Sequence, residues 1–146
     1  MLVIFDTSVL ISVFISSGKS YASDIIELAY NNKLTIISSI ETFKELQDSI
    51  RKDKIKKFKS YNSRKMGIFI AWFKYNTLKT SINPNQKLSI TSRDVKDSIF
   101  LLLAGTSNAH YLITVDRDLL DLKKVGNTYI ISPEEFIHKE SKKFGL

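Results

Sequence analysis

The sequence predicts an α/β domain, three layers deep, with helices on both faces of a central parallel sheet. Three observations carry this. Continuous apolar runs of strand length, LVIF, LTII, YLITV and TYIIS, have the composition of strands buried on both faces. Segments with helical apolar spacing separate them, and such alternation reads as parallel strands joined by helical crossovers. Serines that suit helix N-caps, Ser20, Ser38 and Ser132, precede several of those helical segments.

In chain order, LVIF is the first strand. TSVLISVFI follows as a helix with Val9, Leu10, Val13 and Phe14 at helical spacing, ended by Gly18. Ser20 caps a second helix whose apolar face is Ile25, Ile26, Leu28 and Ala29, and Asn31-Asn32 breaks it. LTII is the second strand. Ser38, with Glu41 three residues on, reads as a capping box opening the next helix. From about Arg51 to Lys65 the chain is polar and basic, with only Ile55 and Phe58 as an apolar stripe, and reads as a surface helix. MGIFIAWFKYNTL is a strongly apolar helix; its aromatics Phe69, Trp72 and Phe73 suit either helix core or a dimer face. The third strand is LKTSI, an edge candidate, or KLSIT, with a turn at Asn83-Pro84-Asn85 between them. Val95 to Thr106 is a helix with Ile99, Leu102 and Leu103 facing inward. YLITV is the fourth strand, RDLLDL a short helix and TYIIS the fifth strand. Ser132, Pro133 and Glu135 then open the C-terminal helix with a capping box and proline at its first position.

At 146 residues the chain is one domain, 1–146, large enough for a real core, with the basic stretch as an insertion within it. Its net charge of +7 favours a nucleic acid or another anionic partner. The absence of Cys excludes disulfides and thiolate metal sites and is compatible with a cytoplasmic setting. The apolar start, MLVIFDTSVLISVFI, lacks a basic leader and is interrupted by Asp6, so it reads as mature fold. The next apolar run, IFLLLA, is too short to span a bilayer, and membrane insertion is not expected.

Four acids stand just past the strand-like runs: Asp6, Glu45, Asp97 and Asp116. In an open α/β sheet the C-terminal strand ends share one edge, and ligands bind there. Carboxylates gathered at that edge repel one another and raise each other's pKa, which a hard divalent cation relieves. Each acid alone has a plainer role: Asp6, Asp94 and Asp116 precede helices as N-caps, and Asp97 suits a helix dipole. The set is harder to explain this way, because a cap needs no partner elsewhere in the chain. Asp118 reads as a ligand through water or a solvent-facing charge, Asp94 as a cap or outer ligand, and Asp48 and Asp121 as surface charges. His110 and His138 are not spaced as a metal pair.

Asp6-Thr7-Ser8, Ser39 with Glu45, RDVKDSIFLLLA, YLITVDRDLL and the closing ISPEEFI together resemble the PIN-domain nucleases, and among them the stand-alone toxins related to VapC. The resemblance implies a five-stranded parallel sheet of order 3-2-1-4-5, dependence on Mg²⁺ or Mn²⁺, and cleavage of RNA. It places the family's acidic positions on Asp6, Glu45, Asp97 and Asp116, its hydroxyl position after the first acid on Ser8, and its fourth-strand Thr on Thr114. It also implies a homodimer and a small antitoxin that covers the acidic pocket. Relatives often carry Asn or Lys after the third acid, where this chain has Ser98.

Phosphodiester hydrolysis needs an activated water and neutralised phosphate charge, and one or two metal ions supply both. Carboxylates suit Mg²⁺ or Mn²⁺ better than Zn²⁺. On this reading Asp6 binds metal directly, Asp97 and Asp116 directly or through water, and Glu45 binds metal or orients the attacking water. Thr7, Ser8 and Thr114 orient carboxylates or phosphate oxygens. Arg51, Lys52, Lys54, Lys56, Lys57, Lys59, Arg64 and Lys65 form either a track for backbone phosphates or a solvated face. A phosphotransfer receiver would need an adjacent acidic pair after the first strand, and a dehalogenase-type phosphatase Asp at position 8; neither is present, nor is a P-loop. The remaining alternative is a non-catalytic PIN-fold module that binds RNA or protein.

Overall fold

A computed structural model of the chain describes residues 1–83, 85 and 95–146, with side chains for all of these except 95–98. Asp94 and the KLSIT strand candidate lie outside the described residues. So does Pro84 of the expected turn, where the Asn85 N–H donates to Asn83 Oδ1 at 3.0 Å.

The strands are β1 (Leu2–Phe5), β2 (Thr35–Ser38), β3 (Leu78–Lys79), β4 (Tyr111–Ile113), β5 (Lys124–Val125) and β6 (Thr128–Ile131). Their order is β3-β2-β1-β4-β6-β5. The first five in that list are parallel throughout, which is the expected 3-2-1-4-5 sheet. β5 is an addition, pairing antiparallel with β6 across a two-residue turn at Gly126-Asn127. Gly126 has φ +57°, and a glycine with positive φ at the first turn position suits a hairpin of this length.

The helices are α1 (Thr7–Ile15), α2 (Tyr21–Tyr30), α3 (Ile40–Ile50), α4 (Asp53–Lys56), α5 (Ser63–Asn76), α6 (Val95–Ser107), α7 (Arg117–Leu122) and α8 (Pro133–Phe144). Side chains alternate across each strand, so the sheet has a core on either face. Val3, Phe5, Ile36 and Ile113 pack with residues of α1, α2, α3, α5 and α8; Ile4, Ile37, Leu112 and Ile130 pack with α6 and α7. Among the described residues no helix is long and apolar enough to cross a membrane.

Three sequence expectations shift. The cap of α3 is Ser39 paired with Thr42, not Ser38 with Glu41. Ser38 closes β2, and its buried hydroxyl is bonded to Thr77 Oγ1 at 2.7 Å, so the extended residue after it takes the cap. Residues 51–65 are not one helix. Only α4 forms, pinned by buried Ile55, and Asn62 starts α5 by accepting the Lys65 N–H at 3.1 Å. The helical positions one turn beyond Phe58 are Tyr61 and Asn62, so no apolar stripe continues, while Lys52, Lys54, Lys56 and Lys57 crowd like charges at helical spacing. In α6 the inward residues are Phe100, Leu101, Leu103 and Ala104, with Ile99 and Leu102 half-buried, because the helix lies against the sheet across a broad apolar face. Phe69 and Phe73 are core, both buried, and Trp72 is half-buried edge-on to Tyr30 at 4.4 Å.

Candidate active site

Hydrogen bonds of the sheet carry on one residue beyond β1 and β4. The Asp6 N–H donates to the Ile113 carbonyl at 3.0 Å, and the Thr114 N–H to the Ile131 carbonyl at 3.1 Å. This sets Asp6 beside Thr114 at the C-terminal edge. Asp6 has the backbone position of an N-cap for α1, yet its carboxylate makes no cap bond. It turns inward, where Oδ2 accepts the Thr114 hydroxyl at 2.8 Å and the Ser8 hydroxyl at 3.0 Å. Thr114, fully buried, also accepts the Asp116 N–H on Oγ1 at 3.0 Å. One threonine thus ties the first acid to the fourth. Asp116 does cap α7, accepting the Asp118 N–H at 2.8 Å, so its plainer role and its place at the site coexist. On the other side the Thr7 hydroxyl donates to Glu45 Oε2 and orients that carboxylate.

Asp6, Thr7, Ser8, Glu45 and Asp116 line a cleft of about 340 Å³. Asp6, Glu45 and Asp116 form its acidic end; Lys52 and Lys54 line it from the α4 side. Ser60 donates to the Ile15 carbonyl at 2.5 Å, tying the chain after α4 to the end of α1. Asp6 is only 7% exposed, and burial raises its carboxyl pKa above the usual 3.8. The Thr114 and Ser8 hydrogen bonds oppose the shift, and the Asp116 charge adds a smaller increment. Mutual repulsion was the expected cause of a raised carboxylate; desolvation is the larger one.

Of the other expected residues, Asp118 is exposed and its side chain does not line the cleft, and Asp94 and the Asp97 side chain lie outside the described residues. Asp97 itself stands in the first turn of α6. Among the described residues no three His, Cys, Asp or Glu form a group that could hold a metal ion. Arg51, Lys56, Lys57, Lys59, Arg64 and Lys65 are exposed away from the cleft lining. The sequence reading missed Ser49 and the apolar floor of Ile11, Ile15 and Ile55. Helical spacing could have found them: Ser49 is four residues after Glu45, and Ile11 and Ile15 are three and seven after Ser8. His110 Nδ1 accepts the Leu2 N–H at 2.9 Å and His138 packs edge-on to Tyr21, both structural roles.

The sequence model of a family described as PIN domain matches residues 2–118. Among solved structures, the fold is similar to a chain of VapBC2 from Rickettsia felis bound to a DNA fragment from their promoter. The TM-score is 0.57 and the identity 18%, over 90% of this chain and 98% of that one. No curated protein matches the sequence.

Proposed function

The chain belongs to the PIN-domain family, a family of nucleases, and from that premise we propose that it is a divalent-metal-dependent endoribonuclease, the toxin of a toxin–antitoxin pair. The observation that carries this is the desolvated Asp6 carboxylate, joined to Asp116 through Thr114 in a cleft that Lys52 and Lys54 also line. A buried carboxylate with a second acid beside it is relieved by a cation, and the two lysines suit a polyanionic substrate.

The donor set fits Mg²⁺ or Mn²⁺, since every candidate ligand offers oxygen. Asp6 and Asp116 would hold the ion, with Asp97 and Glu45 completing the set; bound there, it supplies an activated water and neutralises phosphate charge. The chain's own groups do the rest. Thr114 and Ser8 fix the Asp6 carboxylate through Oδ2, and Thr7 fixes Glu45. Glu45 would bind the ion or orient the attacking water. Lys52 and Lys54 steer the phosphate backbone toward the acids.

Purified protein incubated with total RNA should cleave it with Mn²⁺ or Mg²⁺ and not with EDTA. Cleavage that persists in EDTA overturns the metal requirement; none under any condition favours the non-catalytic binding module. Neutralising Lys52, Lys54, Lys56, Lys57 and Lys59 together should weaken RNA binding. The slope of log K against log salt should fall by about 0.7 for each single-strand phosphate that the variant no longer neutralises. An unchanged slope, measured by fluorescence anisotropy, returns these residues to a solvated face. The assembly we propose is a homodimer that holds a small antitoxin over the acidic cleft; the likeness to a VapBC2 chain supports the antitoxin partner alone.

A further inference from the structure

Helix α5 carries two apolar stripes. Met66, Phe69 and Phe73 face the core. Ile68, Ala71 and Tyr75 repeat the same spacing two residues later, about 200° round the helix, and face outward. Ile68 is 62% and Tyr75 78% exposed, and Leu78, just beyond the helix, is 49% exposed. A Cβ built at Gly67, on the same side, would meet no atom within 4 Å. A helix apolar on both sides is ordinarily covered on both.

The charge around this stripe has one sign. Residues 54–79, the segment that carries it, contain eight Lys or Arg and no Asp or Glu. Arg64, Lys65, Lys74 and Lys79 are the charged residues of α5 and β3, and all are exposed. Lys74 Nζ lies 5.6 Å from the centre of the Tyr75 ring, so cation and exposed aromatic share one patch. Lys79 folds back onto the end of α5, donating to Thr77 Oγ1 at 2.6 Å. Desolvation of the ammonium as it folds back, and then the Lys74 charge, lower its pKa.

We propose that this outward face of α5 docks an acidic amphipathic helix of a partner protein. The apolar stripe of such a helix covers Ile68, Ala71, Tyr75 and Leu78, and its flanking carboxylates meet Arg64, Lys65 and Lys74. A second copy of this chain fits poorly. A two-fold interface sets the same patch against itself, and like charges facing across an interface repel. RNA matches the cations but offers nothing to the aliphatic Ile68 and Leu78. The proposal stands apart from the nuclease reading, since no residue of this face lines the acidic cleft.

The test uses the full chain and a labelled synthetic peptide of about 18 residues, long enough to be helical, with Leu at helical spacing and Glu elsewhere. Controls are a scrambled peptide of the same composition and a labelled oligoadenylate RNA. The amphipathic peptide should bind, and the scrambled one about tenfold or more weaker. Ile68→Ser with Tyr75→Ser should weaken the amphipathic peptide about tenfold or more, as for central interface anchors. RNA binding should be unchanged, and both substitutions are at the surface, so the melting temperature should hold. No peptide binding, or equal binding of both peptides, overturns the docking face. An equal loss of RNA binding assigns the face to RNA. A protein dimer in sedimentation that the double variant dissociates assigns it to a second copy.

Discussion

Asp6→Asn is expected to remove divalent-dependent RNA cleavage while the protein stays folded. The substitution keeps an oxygen that can accept from Thr114 and Ser8, so the local geometry survives. What disappears is the negative charge at the buried end of the cleft. A metal ion's stabilisation of transition-state charge amounts to several kcal/mol, so the rate should fall about 10³-fold or more. Asp97→Asn should act alike, by its place in the first turn of α6. Asp48→Asn, on the exposed side of α3, should leave cleavage unchanged. Single-turnover cleavage of a defined RNA with Mn²⁺ measures all three, and wild-type rates for Asp6→Asn would remove that residue from the metal site.

The same substitution should have the opposite sign in stability. Burial raises the Asp6 pKa in the folded chain above the usual 3.8, so the folded state holds the proton more tightly than the unfolded state. Its contribution is fully present below pH 3.8 and is lost as pH rises through the raised folded pKa. Above that window the metal-free protein carries a desolvated charge that unfolding would release. In EDTA, Asp6→Asn should therefore melt higher than wild type at neutral pH, and the difference should shrink toward about pH 4. A cation that binds only the folded state reverses the order. At about 100 times its Kd, Mn²⁺ should stabilise wild type by about 2.7 kcal/mol, or roughly 5–11 °C for a domain of this size, and the variant much less. Melting curves of both proteins across pH, with EDTA and with Mn²⁺, give the comparison. A pH-independent difference in EDTA, or equal shifts with Mn²⁺, would show that Asp6 is not the desolvated cation ligand proposed.

What lay in the sequence was whatever depends on local pattern. Strands buried on both faces must be continuously apolar, so LVIF, LTII, YLITV and TYIIS were legible, as was the capping box at Ser132. The two-residue Gly126-Asn127 connection is itself a hairpin signal, so β5 was written there and overlooked. The one-residue error at the α3 cap has a different cause. Ser38 and Ser39 are both good caps by composition, and only the hydrogen bond of Ser38 to Thr77, 39 residues away, decides between them.

By itself, then, the chain determined a parallel α/β sheet and that acids far apart in sequence reach its C-terminal edge, because strand direction alone sends them there. Tertiary structure decided what each acid does. The Asp6 carboxylate accepts the Thr114 and Ser8 hydroxyls, whereas Asp116 keeps its cap, and the two are coupled only because β1 and β4 are neighbours. It also decided that desolvation outweighs repulsion at Asp6, and that Phe69 and Phe73 go inward while Ile68 and Tyr75 stay outside. Burial and long-range hydrogen bonding are properties of packed neighbours, and periodicity along one chain does not specify which neighbours those are.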